Sequence, residues 1–247
     1  MKLKIINSNS AGNCYILEND QEALIIECGV RFERIKEALN FRLAKVAGCL
    51  VSHEHLDHCK SAKEMLSKGI NVYASPGTHK AMDTITHHRA KLLLPGTEQM
   101  IGNFKVKGFD VKHDCEQPLG FLISHKETGT ILFLTDSYYV EYKFPGLHNV
   151  IIEANYCNKI LKERVSNGAS PFFLRDRVFQ SHMSIETCKK TLQANDLSQV
   201  NNIVLIHLSD GNSDEKRFKY EVEEQTGKTV HVARAGMVID KFEKQPF

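Results

Sequence analysis

The chain has 247 residues, 42% of them hydrophobic and 25% charged, with 32 basic against 30 acidic residues and a formal charge of +2. That composition excludes a disordered or fibrous chain, and the near-neutral balance gives no global electrostatic pull toward DNA, RNA or an anionic membrane. No apolar run is long enough to span a bilayer, and the start, MKLKIINSNSAGNCYIL, turns polar before a secretory core can form, so a soluble cytoplasmic protein with no membrane partner is expected.

In chain order, Leu3–Ile6, Tyr15–Glu18, Ala23–Ile26 and Gly48–Val51 are short apolar or alternating runs bounded by turn formers, which predicts strands. Between the last two, RFERIKEALN places Phe32, Ile35, Ala38 and Leu39 on one helical face. Ser61 and Glu64 have capping-box spacing ahead of a short helix with Ala62, Met65 and Leu66 as its apolar face, ending at Gly69. NFKVKGFDVK, PLGFLIS, TILFLTD and NVIIEAN predict a second block of strands, followed by a helix from Ser184 that carries Ile185, Cys188 and Leu192. VNNIVLIHLSD reads as a buried strand running into a loop, DEKRFKYEVEEQTG as a helix with an acidic start, and TVHVAR as the last strand. No repeat or linker divides the chain, so one domain over residues 1–247 is expected. Strand blocks and helices recur twice in similar order, which predicts two sheets packed face to face with helices outside.

Ser52-His53-Glu54-His55-Leu56-Asp57-His58 is the most informative stretch. Imidazole and carboxylate are ligand groups for zinc, manganese or iron, and His53, His55, Asp57 and His58 fall within six residues after a buried strand. In an extended segment, side chains two apart share a side, so His53, His55 and Asp57 are expected to converge while His58 points elsewhere, an arrangement suited to two neighbouring metals. The seven cysteines are scattered and never in C-x-x-C spacing, which predicts reduced, mostly buried thiols. His79, His87, His88, His125, His148 and His231 have no ligand spacing, and Cys115 is left out of the ligand set because nitrogen and oxygen donors already suffice.

The His-x-His-x-Asp-His pattern resembles the signature of the metallo-β-lactamase fold superfamily. Within it, the blocks SNSAGNCYIL, ECGV, SPGTHKAM, HDCEQPLGF, IIEANY, RVFQSHMS and HLSD resemble the YycJ/WalJ-like and ribonuclease Z-like branch. The compact build also resembles phage anti-Pycsar cyclic-nucleotide nucleases. The resemblance implies an α/β fold, the four-layer αββα sandwich. It implies that His53, His55 and His113 hold one metal, that Asp57, His58 and His207 hold the other, and that Asp136 joins them. His182, in His-Met-Ser, falls where that branch has its general acid, so His182 and Asp57 are the expected catalytic groups. Arg177 falls on a block where it could hold a phosphate oxygen bidentately, and Glu153 where it could orient a histidine. The acid before Cys28-Gly29 is usually Asp in this branch and is Glu27 here, which alters the support around the ligands.

These residues imply hydrolysis of a phosphodiester by a hydroxide activated between two divalent metals, zinc first and manganese second, with His182 protonating the leaving alkoxide. Low net charge and the lack of a protruding arm favour a 3′,5′-cyclic nucleotide, the phage anti-defence type of substrate, over 5′→3′ exonuclease action on DNA, the alternative. Acyl or thioester hydrolysis would leave His182 and Arg177 without a task, and a non-catalytic scaffold would be expected to have lost ligands. A homodimer is expected as the working form.

Overall fold

The structure, a computed structural model, describes residues 1–168 and 172–245. Two seven-stranded sheets form its centre. The first contains β1 (Lys2–Asn9), β2 (Gly12–Glu18), β3 (Ala23–Ile26), β4 (Val46–Leu50), β5 (Val72–Ala74) and β6 (Ala90–Leu92) in that spatial order. The second runs from β7 (Glu98–Ile101) through β8 (Phe104–Asp110), β9 (Leu119–His125), β10 (Gly129–Leu134), β11 (Leu147–Glu153) and β12 (Asn202–Ile206) to β13 (Thr229–Val232). TVHVAR is not the last strand: β14 (Met237–Ile239) returns to the first sheet and pairs antiparallel with β1, Met237 opposite Ile5. Three residues are too few to display a period of two, and the partner lies at the other end of the chain.

The strands alternate between two apolar environments. In β2, Tyr15 and Leu17 pack between the sheets while Cys14 and Ile16 pack outward; in β10, Ile131 and Phe133 face inward while Leu132 and Leu134 face outward. Helices cover both outer faces, so the strands read as continuous apolar runs, and each fully buried Leu, Ile or Phe contributes roughly 1.5–3 kcal/mol. Over the first sheet lie α1 (Phe32–Ala38), with Phe32 and Ile35 buried, the short α2 (Leu56–Cys59), α3 (Ala62–Ser67) and α4 (Pro76–Ala81). After β11 come α5 (Asn158–Ser166), α6 (Phe172–Ser181) and α7 (Ile185–Gln193), and after β12 comes α8 (Glu215–Thr226); Cys188 and Leu192 of α7 and Phe218 and Val222 of α8 cover the second sheet. The result is the expected αββα sandwich.

Caps set several of these boundaries. Ser184 accepts from Thr187 N at the start of α7 and Asp214 from Arg217 N at the start of α8, whose end is closed by Gly227 at φ 64°. The capping box at Ser61 and Glu64 does not form. Ser61 makes no side-chain cap; its Oγ donates to Val30 O and its N–H donates to Cys28 O at 2.9 Å, so it fastens α3 to the corner after β3.

β3, β4, β10 and β12 deliver their carboxyl ends to one edge of the sandwich. Glu27 and His207, next after β3 and β12, and Asp136, two residues after β10, have φ of 62°, 54° and 43°. This left-handed backbone is costly for non-glycine residues and is retained where the surrounding structure enforces it, as at sites of chemistry.

Candidate metal centre

His55 has extended backbone after a bend at Glu54, its ring converges with that of His53, and α2 begins at Leu56. The helical turn breaks the alternation. Asp57 does not join His53 and His55 as the extended spacing predicted; it turns with His58 toward a second position. The structure groups His53, His55 and His113 in one place and Asp57, His58, Asp136 and His207 in another, and a third group, Asp136, Glu153, His182 and His207, overlaps the second.

His53, His55 and His113 form the first set of converging donors. His53 Nε2 and His113 Nε2 each lie 3.1 Å from His55 Nδ1. His113 donates its Nδ1 hydrogen to Ser181 O at 2.9 Å, leaving Nε2 as a lone pair. His55 Nδ1 has at most one hydrogen for two contacts, so the set is better satisfied by a cation than by itself. Asp57, His58, Asp136 and His207 form the second set. His58 Nε2 is 2.9 Å from Asp136 Oδ2 and 3.3 Å from Asp57 Oδ2, and His207 Nε2 is 3.3 Å from Asp57 Oδ2. Asp136 Oδ2 is also 3.4 Å from His53 Nε2 and 3.9 Å from His113 Nε2, which puts one carboxylate oxygen between the two sets. The donor chemistry of both sets, imidazole and carboxylate, fits divalent cations.

Carboxylates behind the rings set their orientation. Glu27, fully buried, lies 3.3 Å from His58 Nδ1 through Oε2 and accepts from Ser52 N through Oε1 at 3.1 Å, so the longer acid still reaches the ligand segment. Glu153, also fully buried, accepts from His207 Nδ1 at 3.0 Å and from His182 Nδ1 at 2.8 Å, while its other oxygen accepts from Met183 N at 2.9 Å. Such partners fix which ring nitrogen faces the centre. Asn155 donates to His207 O at 2.8 Å, and Asn13 faces Asp57 and His58; neither has a signal in spacing alone.

The charges divide accordingly. Burial opposes protonation of His58 and His207, but nearby carboxylates, Asp136 foremost, outweigh it and hold both pKa values well above the usual range. Burial, reinforced by neighbouring imidazoles, holds His53 and His113 below it. Burial would raise the pKa of Asp57 and Asp136, yet contacts with His207 and His58 bring both well down. Glu27 is raised by burial, which exceeds the pull of His58.

A cleft of about 380 Å³ opens over both sets, with Ser10, His55, Leu56, Asp57, His113, Asp136, Arg177, His182 and His207 on its walls. His182 follows α6 and is partly exposed there; its Nδ1 is held by Glu153 and lies 3.5 Å from Asp136 Oδ1, so Nε2 is the edge left for the cleft. Burial opposes its charge, but Glu153 and Asp136 raise its pKa to about 9. Arg177 is exposed on the same wall. The remaining histidines lie outside the converging sets: His79 contacts Thr84 and Lys91, His125 contacts Glu22, and His87 stacks on His88 in a loop. Cys115 also lies outside them, with its thiol pushed up by burial, and all seven cysteines are free thiols.

Residues 25–208 match the family profile described as the beta-lactamase superfamily domain. The exodeoxyribonuclease WalJ of Streptococcus pneumoniae (strain D39) is 26% identical over 228 residues, covering 86% of this chain and 83% of the relative. Among solved structures, the metallo-beta-lactamase fold protein YhfI from Bacillus subtilis superposes with a TM-score of 0.74 at 16% identity over 97% of this chain and 99% of its own. Human tRNase Z, short form, superposes with a TM-score of 0.65 at 15% identity over 98% of this chain and 99% of its own.

Proposed function

Because the chain belongs to the beta-lactamase superfamily and has the metallo-β-lactamase fold, we propose that it is a phosphodiesterase that uses two divalent cations, zinc or manganese, to hydrolyse DNA from its 5′ ends. The placement of His182 carries this reading: its Nδ1 is anchored on Glu153 while its Nε2 edge is left for the cleft above the converging donors. A thioester departs as a thiolate, which has little need of a proton from that histidine.

His53, His55 and His113 would hold one cation and Asp57, His58 and His207 the other, with Asp136 placed to serve both. When bound, two such cations bring the pKa of water near neutrality and withdraw charge from the phosphoryl group. Asp57, on the cleft wall, orients the attacking water along the line of the breaking bond. Arg177 grips a non-bridging phosphate oxygen. His182 carries the proton on Nε2 and passes it to the departing oxygen, while Glu153 fixes the ring and stabilises its charge. The exodeoxyribonuclease relative supports DNA as the substrate. One domain spanning residues 1–247 performs all of this, a reading supported by the return of β14 to β1. We infer a homodimer as well, supported by exposed Leu92, Leu94 and Met100 beside the sheet edges at β6 and β7; sedimentation tests it.

The second reading, a 3′,5′-cyclic nucleotide as the substrate in the manner of phage anti-defence enzymes, is favoured by the cleft itself. Its volume suits one nucleotide, and Arg177 is the one Lys or Arg among its described lining residues. A panel of 5′-phosphorylated single- and double-stranded DNA, RNA, cyclic nucleotides and a β-lactam, assayed with Zn²⁺ and Mn²⁺, separates the readings. Salt separates them further, because DNA cleavage weakens steeply as counterions compete and cyclic-nucleotide cleavage does not.

A further inference from the structure

Family resemblance leaves the SNSAGNCY segment without a chemical task, and the structure places it directly behind the second set of donors. We propose that Asn13 is a positioning residue for the second cation: its side-chain amide holds Asp57 through a backbone and a side-chain oxygen, and a chain of buried hydroxyls ties that grip to the segment carrying His207. The inference rests on the two-cation reading above.

Asn13 is fully buried, and its Nδ2 lies 3.1 Å from His58 Nε2, 3.3 Å from Asp57 O and 3.4 Å from Asp57 Oδ2. Its orientation is fixed from behind. Tyr15 donates to Asn13 Oδ1 at 3.3 Å, and because burial pushes the phenol pKa up, Tyr15 stays a donor. Ser8 Oγ, 2.7 Å from Tyr15 Oη, then donates to it and accepts from His207 N at 3.0 Å. Every hydrogen in this chain runs one way, from His207 N–H through Ser8 and Tyr15 to Asn13 Oδ1, which leaves Nδ2 as the face turned toward the donors. An N–H on Asp57 Oδ2 directs that oxygen while leaving a lone pair for a cation.

Two glycines make the approach possible. A Cβ on Gly29 would sit 1.7 Å from Asp57 O, and one on Gly12 would sit 2.3 Å from Gly29 O. The β1–β2 hairpin, the Glu27-Cys28-Gly29 corner and the Asp57-His58 backbone are therefore stacked in contact, with Gly29 N donating to Asn13 O at 2.9 Å and Cys28 N to His58 O at 2.7 Å. Two of the segments that supply the second set of donors, those of Asp57-His58 and His207, are thereby held to one buried polar chain.

The test is a titration of metal-free protein with Co²⁺, reading stoichiometry and the d–d absorption of each site, with His113→Ala and His207→Ala assigning the two spectra. In Asn13→Leu the second cation is expected to bind about 10–100-fold more weakly, the range for loss of a ligand's hydrogen-bonding partner, while the first binds within twofold of wild type. Tyr15→Phe keeps the ring in its packing and breaks only the chain, so a smaller loss confined to the second cation is expected there. Unchanged second-cation affinity in both variants, or equal weakening of both cations, overturns the assignment while leaving the two-cation reading intact. Uptake of fewer than two cations by the wild type overturns both.

Discussion

His182 donates its Nδ1 hydrogen to the buried Oε1 of Glu153 at 2.8 Å, and the same oxygen accepts from His207 Nδ1 at 3.0 Å. One carboxylate thus orients a proposed metal ligand and the proposed general acid together. Replacing His182 with Ala is expected to lower turnover of DNA by about 10²–10⁴-fold, the span of general acid catalysis. A p-nitrophenyl diester, whose leaving group needs little protonation, should lose less than about tenfold. Equal losses on the two substrates in steady-state assays would remove His182 from the acid role.

With His182 as the proposed acid, its protonation state is expected to set the alkaline limit of the reaction. Its pKa is raised to about 9, so the ring is charged at neutral pH and loses its proton as pH rises. Cations that engage Asp136 withdraw part of the support for that charge, so the descending limb of kcat against pH is expected at or below about 9. The limb should be absent in His182→Ala and in wild-type turnover of the p-nitrophenyl diester.

Glu153→Ala leaves His207 Nδ1, His182 Nδ1 and Met183 N without their shared buried acceptor. Each unsatisfied buried group costs about 1–3 kcal/mol, so a marked drop in the urea midpoint is expected. Glu153→Gln keeps one of the two acceptor oxygens, its NH2 facing an N–H on the other side, so it should restore part of the stability while weakening the charge on His182. A lowered alkaline limit in Glu153→Gln, measured on DNA, checks the second effect.

Away from the centre, His79 gives a pH effect on stability with a defined sign. Burial lowers its pKa from 6.5 in the folded chain, so the unfolded chain binds the proton more readily. Its contribution is present above about 6.5 and is lost as pH falls through that range toward the folded value. Urea midpoints at pH 7.5 and 5.5 should diverge more for wild type than for His79→Leu.

Much of this was legible in the sequence, for reasons tied to particular residues. Ala23–Ile26 is an apolar run in the sequence and a strand with the same bounds, because a strand covered on both faces needs no polar partner. The seven proposed metal ligands were legible through residue type and strand-end position together with resemblance, and the structure brings all seven to one edge. Alternation of side chains ends at Leu56, where a local turn of helix overrides the extended period, a switch that four residues cannot signal. Ser61 failed as a cap because a tertiary acceptor, Val30 O, competes successfully for its hydroxyl. Asn13 was out of reach for a different reason: its task depends on two glycines letting three distant segments touch.

The central claim is that this edge of the sandwich holds two cations and uses them on a phosphodiester. It is tested most directly by restoring activity to chelator-stripped protein with measured equivalents of Mn²⁺ or Zn²⁺, following hydrolysis of 5′-phosphorylated DNA. The account predicts no hydrolysis in the stripped protein and full activity at two bound cations per chain. Activity in the stripped protein, or no hydrolysis of any phosphodiester with two cations bound, would contradict it.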